Sequence, residues 1–321
     1  MNDALILGAG ISGSVCANVL AQGGFSTTIV EKGRGVGGRM ATRRMEGARI
    51  DHGAQFMTVR HPQMQTFLSG WLSDQVVCPW YERVPDRKDV PVGVRFRGMN
   101  GMTAPVKSLV GSSRIETDFF VEKIQREQKW VVTERMGQGR VLKAEHLVVT
   151  FPVPQVLELF HRSAFSLDPE TMSRLEKVTY TRCLALLGLL AEPSGLKHPG
   201  TCTHPVSEVD WVSDNQIKGI SEKPAFTLHA SADYSERFWD APDEERCPFL
   251  IGIAEQILSS KVMQWTSHRW GFAKPIKTFG ANHFHSPAQA LALAGDGFGG
   301  ERIENAFLSG FEAARAIIKN S

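Results

Sequence analysis

The run Ala4-Leu5-Ile6-Leu7, followed by Gly8-Ala9-Gly10-Ile11-Ser12-Gly13, constrains the fold more than any other stretch. Apolar residues ahead of a glycine cluster read as a strand buried on both faces. The glycines have the spacing G-x-G-x-x-G, and Ser14 to Gln22 reads as the helix that follows. In such a turn Gly8 makes the tight reversal, Gly10 lets backbone approach a pyrophosphate, and Gly13 lets helix and strand pack closely. The helix start adds unpaired N–H groups and a partial positive charge for the phosphates. A second strand, Thr27-Thr28-Ile29-Val30, ends at Glu31, eighteen residues past Gly13. A carboxylate there accepts the hydroxyls of an adenosine ribose. The stretch predicts an α/β dinucleotide-binding fold and leaves open which dinucleotide it takes.

Composition narrows the setting. A chain of 321 residues suits about two domains. Hydrophobic content of 42% with 22% charge is that of a soluble globular protein. A formal net charge of +2 gives no reason to expect nucleic acid or an anionic membrane as partner. Cys16, Cys78, Cys183, Cys202 and Cys247 are odd in number and form no C-x-x-C pair, so a reduced, cytoplasmic setting is expected. The N-terminus lacks a basic leader, and its glycines belong to the phosphate loop, so a secretion signal is rejected. No apolar run reaches transmembrane length, and no internal repeat is visible.

The loop Gly33-Arg34-Gly35-Val36-Gly37-Gly38-Arg39-Met40 is too rich in glycine for regular structure, and it brings N–H groups and two arginines near the first loop. In Asp51-His52-Gly53-Ala54-Gln55-Phe56, small residues at Gly53 and Ala54 would let a flat ring lie against the backbone. A helix is expected over Arg60 to Leu72. The charged, proline-rich stretch Val84 to Pro91 reads as the chain leaving the first domain. Thr103 to Val110 reads as a helix and Ile115 to Val121 as a strand. Trp130 to Glu134 and Val141 to Ala144 form an expected hairpin, with its turn near Gly137 and Gly139. His146 to Thr150 reads as a separate buried strand closed by Pro152 and Pro154.

A second departure brings helices over Pro154 to His161, Pro169 to Lys177 and Pro242 to Ser259. Strands are expected around Cys183 to Leu190, with a helix as the alternative there, and around Asp210 to Val212, Ala225 to Ala230 and Val262 to Phe272. The chain returns through the strand Leu291 to Asp296, a loop Gly297 to Gly300 and a terminal helix Ile303 to Lys319. The expected division is 1–75, 101–155 and 285–321 for the nucleotide domain, with 76–100 and 156–284 forming an inserted α+β substrate domain.

G-x-G-x-x-G alone does not separate NAD from FAD. Joined to Arg34-x-x-Gly37-Gly38-Arg39 and to Gly295-Asp296 before a long helix, it resembles FAD proteins with a split glutathione-reductase-like Rossmann domain and amine oxidase or p-hydroxybenzoate hydroxylase topology. Within that group the chain resembles the renalase family of the flavin amine oxidases, bacterial members in particular. The matching stretches are Lys32 to Met40, Asp51 to Phe56, Asp210-Trp211, Leu228-His229-Ala230, His268-Arg269-Trp270 and Glu304 to Gly310. The segments Trp80 to Arg97 and Ser213 to Pro224 depart from the pattern.

The resemblance implies that Gly8, Gly10, Ile11, Ser12 and Gly13 hold the pyrophosphate and Glu31 the ribose, with Lys32, Gly38, Arg39 and Met40 lining the same region. It places Gly53, Ala54, Gln55 and Phe56 near the flavin ring, and the Val121 backbone at the adenine. Gly295 and Asp296 fall at the ribityl or pyrophosphate end, and Glu304, Asn305 and Ala306 open the last helix beside the flavin pyrimidine edge. A helix start there stabilises the negative charge of reduced flavin. The loop Gly297 to Arg302 has no cysteine, so FAD is expected to be non-covalent.

Members of that family oxidise aberrant dihydro-NAD(P) isomers to NAD(P)+ and pass the electrons to O2. Hydride transfer to flavin N5 needs a stacked ring more than an acid or base. Phe56, Trp80, Trp211, His229 and Trp270 are the candidate pocket residues, and no acid/base residue is assigned. Each also has a plain reading as core, and His229 between Leu228 and Ala230 as a satisfied buried imidazole. Lys274 reads as a solvated lysine. The scattered histidines, including His283-x-His285, have no accompanying carboxylate cluster, so no metal is expected. Ser12 is not in G-x-S-x-G, which removes a hydrolase. An amine oxidase or other flavin dehydrogenase, and a redox-responsive flavoprotein that only binds, are the alternatives. No feature fixes an oligomeric state.

Overall fold

The structure is a computed structural model that describes residues 2–83, 92–111, 113–135 and 139–321. Val84 to Pro91 and the turn at Gly137 lie outside the described residues. The opening strand β1 (Asn2–Leu7) leads into helix α1 (Ile11–Gln22) and strand β2 (Thr27–Val30). Ala4, Leu5, Ile6 and Leu7 have no exposure, and successive side chains enter different cores. Ala4 and Ile6 pack with α1 residues Val15 and Leu20, whereas Leu5 and Leu7 pack on the opposite side with Val149 and Phe160. A strand buried on both faces is what a parallel sheet covered by helices requires.

The hairpin β3 (Thr42–Met45) and β4 (Ala48–Asp51) precedes helix α2 (Pro62–Ser73) and a second hairpin, β5 (Val77–Tyr81) with β6 (Arg95–Gly98). Helix α3 (Thr103–Val110) leads to β7 (Arg114–Glu116), β8 (Val121–Arg126), β9 (Trp130–Glu134) and β10 (Val141–Val149). The strand expected over Ile115 to Val121 is therefore two strands. Between them the backbone turns at Asp118 (φ 51°), where the Asp118 and Phe119 N–H groups donate to the carbonyls of Gly33 and Glu31. Conversely, the hairpin arm at Val141 and the strand at His146 are one strand. Its first half pairs antiparallel with β9 and its second half runs parallel to β1.

Helices α4 (Val153–Arg162) and α5 (Pro169–Glu176) follow. Val156, Leu159, Phe160 and Leu175 share a core with Leu5 and Leu7, so both helices cover the first sheet. The expected boundary at 155/156 falls inside α4. A second sheet comprises β11 (Thr179–Leu190), β12 (Thr201–Val206), β13 (Val209–Asp214) and β14 (Ala225–Ala230). After α6 (Ala232–Arg237) and α7 (Asp243–Leu258), β15 (Val262–Lys277) completes it in the antiparallel order β12-β13-β14-β11-β15. The chain then re-enters the first sheet through β16 (Phe284–Ser286) and β17 (Leu291–Leu293), giving the order β16-β17-β10-β1-β2-β7, with β8 and β9 appended to β10. It ends with α8 (Asp296–Gly299) and α9 (Ile303–Lys319). The loop expected at Gly297 to Gly300 is thus partly a helical turn, closed by the Gly299 and Gly300 N–H groups onto Gly295 and Asp296 carbonyls. The fold class is α/β, a split Rossmann-type sheet interrupted by a second, antiparallel sheet.

Period-two alternation gives the second sheet two unlike faces. Leu184, Leu186, Val212, Phe226 and Leu228 pack against Leu250, Ala254 and Leu258 of α7. On the other face Trp211 pairs with His229, His229 with Ala185, and Ala185 with His268, one row across four strands. That face turns toward the hairpin β3–β4, where Ile50 and Ala48 meet Leu187 and Ala225.

Candidate active site

The phosphate loop has the geometry its glycines imply. Gly8 has φ 109°, and a side chain on Gly13 would lie 2.0 Å from the Gly8 carbonyl oxygen. A side chain on Gly10 would meet nothing within 4 Å, so the groove above it is open. Helix α1 starts at Gly10 without a side-chain cap, and the buried Ser12 Oγ has no partner among the described residues. Glu31 ties the two glycine loops together: Oε2 accepts from the Ala9 N–H at 2.9 Å and Oε1 from the Gly33 N–H at 2.8 Å. Each oxygen keeps a lone pair for a diol. The second loop lies over the first, since Gly37 N–H donates to Ala9 and Gly38 approaches Gly10. Lys32 is exposed at its edge, while Met40 is buried in the core below. Val121 is buried at the start of β8, and its carbonyl accepts from Arg162.

The carboxylates placed at the far end of the cofactor are engaged within the chain. Arg39 Nη1 and Nη2 reach Asp296 Oδ2 and Oδ1 at 2.5 and 2.6 Å, a bidentate fork. Burial opposes the Arg39 charge, and the Asp296 carboxylate outweighs it, so the guanidinium is held above its ordinary range. Asp296 therefore acts by fixing Arg39, which also donates to the Phe272 carbonyl of β15. Glu304 Oε1 accepts from the Arg60 and His61 N–H groups, and Oε2 pairs with Arg302, which ties the start of α9 to the start of α2. No side chain caps the N-terminus of α9, and the Ala306 N–H already donates to the Arg302 carbonyl, so the uncapped donors there lie ahead of Ala306. The Gly295 N–H donates to Ser309 Oγ at 2.8 Å.

The turn after β4 differs from the sequence reading. A side chain on Gly53 would lie 2.1 Å from the Arg39 carbonyl oxygen and 3.3 Å from Trp270 Cζ2. Its smallness admits this chain's own backbone and indole, and Ala54 N–H donates to the same Arg39 carbonyl. Gln55 is saturated: Nε2 donates to the carbonyls of Asp51 and Gly53 at 2.6 and 3.0 Å. Its Oε1 accepts from Ser213 Oγ at 3.0 Å and Lys218 Nζ at 3.1 Å. The Gln55 side chain thus shapes the turn.

Lys218 has no counterpart in the sequence reading. It is fully buried, and its Nζ lies 2.7 Å from Oδ2 of the equally buried Asp51 and 4.9 Å from the Trp80 ring centroid. Burial pushes its pKa down, opposed by Asp51. Asp51 Oδ1 also accepts from Thr42 Oγ1 and the Met102 N–H. The only sequence signal was indirect: Lys218 lies in the segment Ser213 to Pro224 that departs from the family pattern.

The pocket candidates fall into two groups around this turn. Phe56, Trp80, Tyr81 and Trp211 form one cluster, with Phe56 and Trp211 centroids 5.8 Å apart and Trp80 and Trp211 6.4 Å apart. Arg95 lies 5.5 Å from the Phe56 centroid and 5.1 Å from that of Tyr81. In the second group His229 Nε2 and Trp270 Nε1 both lie on the His52 carbonyl oxygen, at 3.1 and 3.0 Å. The His52 ring stacks on Trp270 at 5.1 Å, and His268 contacts both edge-on. Burial pushes His52 down to about 3 and His229 to about 4, and lowers His268. All three imidazoles are neutral at pH 7. Among the described residues, no group of three or more His, Cys, Asp or Glu is placed to hold a metal.

Comparison with known proteins places this geometry. Residues 6–71 match an NAD(P)-binding Rossmann-like domain, and residues 91–318 match the flavin containing amine oxidoreductase family. Mouse renalase is 24% identical over 298 residues, 85% of each chain. The fold is that of cyclohexylamine oxidase from Brevibacterium oxydans (TM-score 0.74, 14% identity, 99% of each chain). It is also that of a fatty acid isomerase from P. acnes (TM-score 0.69, 12% identity, 98% of each chain).

Proposed function

The chain belongs to the flavin containing amine oxidoreductase family, and on that premise we propose that it oxidises aberrant dihydro-NAD(P) isomers to NAD(P)+, with O2 as electron acceptor. FAD is its cofactor, and the chain is an FAD-dependent oxidoreductase. The residues fit an FAD: an open cradle at Gly10, two long helices that start without side-chain caps, and a Glu31 carboxylate with free lone pairs. Gly8 to Gly13 would hold the pyrophosphate and Glu31 the ribose, with Arg39 fixed beside them by Asp296. Non-covalent attachment follows from the absence of cysteine between Gly297 and Arg302, and acid precipitation should leave the yellow colour in the supernatant. Bound flavin supplies the redox chemistry, taking a hydride and returning two electrons and protons to O2 as hydrogen peroxide.

The observation that carries the substrate reading is that three of the aromatic rings, Trp80, Phe56 and Tyr81, already have this chain's own cations over them. Lys218 lies on Trp80, and Arg95 on Phe56 and Tyr81. An alkylammonium seeking those faces would meet like charge, while a neutral dihydropyridine ring would not. The remaining task of the wall, Trp211, Trp270, His229 and Phe56, is to orient a flat ring and exclude water. No proton has to be removed from such a substrate, and the neutral imidazoles suit that. The segment 76–100 and the second sheet, within 179–277, supply Trp80, Trp211, His229 and Trp270 and are proposed as the substrate domain, without α4 and α5, which cover the first sheet. Aerobic turnover should give NAD(P)+ and hydrogen peroxide in equal amounts from 2-dihydro- or 6-dihydro-NAD(P). Aldehyde and ammonia from a primary amine, with no turnover of either isomer, would refute it.

A further inference from the structure

We infer that Lys218 is a positioning residue, which couples the turn Gly53–Gln55 to the aromatic wall and so sets the slot offered to the substrate ring. The inference rests on the proposal that this turn and wall face the flavin and a dihydronicotinamide. Three separate segments meet at one ammonium: Asp51 at the end of β4, Gln55 in the turn beyond it, and Trp80 on β5. Lys218 itself comes from the loop after β13, held by its N–H on the Asp214 carbonyl. The Trp80 indole is fixed at its other end by donation to the Pro199 carbonyl at 3.1 Å. Removing two charges from water is costly, and an apolar pair of similar volume would join the elements at least as well. What an apolar pair would not do is donate to Gln55 Oε1 and present a cation to the Trp80 face. Gln55 in turn closes the backbone of Asp51 and Gly53, and Trp80 contacts Trp211. Turn and wall are therefore held in one register.

The test is the double variant Asp51→Asn/Lys218→Met, which leaves net charge unchanged and strands no buried carboxylate. A change in substrate affinity then reports position rather than charge. We expect the FAD-loaded variant to bind the dihydronicotinamide about tenfold more weakly, with a limiting rate of flavin reduction within about threefold of the parent. Independently of any substrate, the visible absorption bands of the bound flavin should shift. A folded double variant with parental flavin bands and parental substrate affinity overturns the inference. If the parent is not reduced by either dihydro isomer, the substrate reading fails while the flavin bands still decide the role of Lys218. If the double variant does not fold, Gln55→Leu, which leaves the ion pair intact, should produce the same band shift. Unchanged bands there would overturn the inference equally.

Discussion

Glu31 shows what a single side chain contributes to this site. Its two oxygens are splints between Ala9 and Gly33, so the carboxylate shapes both glycine loops, and the proposed ribose contact would use its remaining lone pairs. Glu31→Ala removes two charge-assisted bonds worth about 1.5–3 kcal/mol each, together with the ribose acceptor. FAD affinity should fall by at least about tenfold, measured as flavin retained after gel filtration, and unchanged flavin content would remove Glu31 from the site. This residue was legible because its distance from the glycine loop is dictated by a strand–helix–strand unit of nearly fixed length. Asp296 and Gln55 were legible as positions but not in their contacts. Their partners, Arg39 and Lys218, lie 257 and 163 residues away, and no local pattern announces such a pairing. Lys218 was invisible, because a lysine in a loop is ordinarily a surface residue and full burial of one is rare.

At the scale of elements, the closing step of the fold is α9 against α1. A side chain on Gly310 would lie 2.0 Å from the Ser12 carbonyl oxygen, in the helix that carries the phosphate loop. Gly310→Ala must push the two helices apart, and overpacking of this kind typically costs about 1–3 kcal/mol. The melting temperature should fall and flavin affinity with it, since Ser12 moves. A variant with parental melting and flavin content would show that the contact is not needed. The parallel strands and α9 could be read from the sequence because two-sided burial and a helical apolar stripe are local signals. The split between Glu116 and Val121 could not, because the turn is fixed by hydrogen bonds to Gly33 and Glu31, remote in sequence. His229 also resisted reading: alternation sends Leu228 into the α7 core and His229 to the opposite face, and only the register with Trp211 and Ala185 shows what it faces.

The whole molecule couples these parts at the turn after β4, where Arg39 of the second glycine loop meets His229 and Trp270 of the second sheet. Its pH response follows from the histidines buried there. An unfolded imidazole titrates near about 6.5, whereas His52 and His229 are held to about 3 and about 4. As pH falls below about 6.5 the unfolded chain takes up protons that the folded chain does not, so stability is lost between that pH and the folded values, and is fully present above it. Each such group contributes a slope of about 1.4 kcal/mol per pH unit within that window. Denaturant melts at pH 7.5 and 5.0 should show the loss, and His229→Gln should reduce it by about one proton. An unaltered slope in that variant would show that His229 is not held neutral. Among the described residues no helix is long and apolar enough to cross a membrane. The central claim, that the slot takes a neutral dihydropyridine ring, is tested most directly by anaerobic mixing of the FAD-loaded protein with 2-dihydro- or 6-dihydro-NAD(P) and, separately, with a primary amine. The account predicts that a dihydronicotinamide isomer bleaches the flavin within seconds and that the amine does not. Bleaching by the amine alone would contradict it.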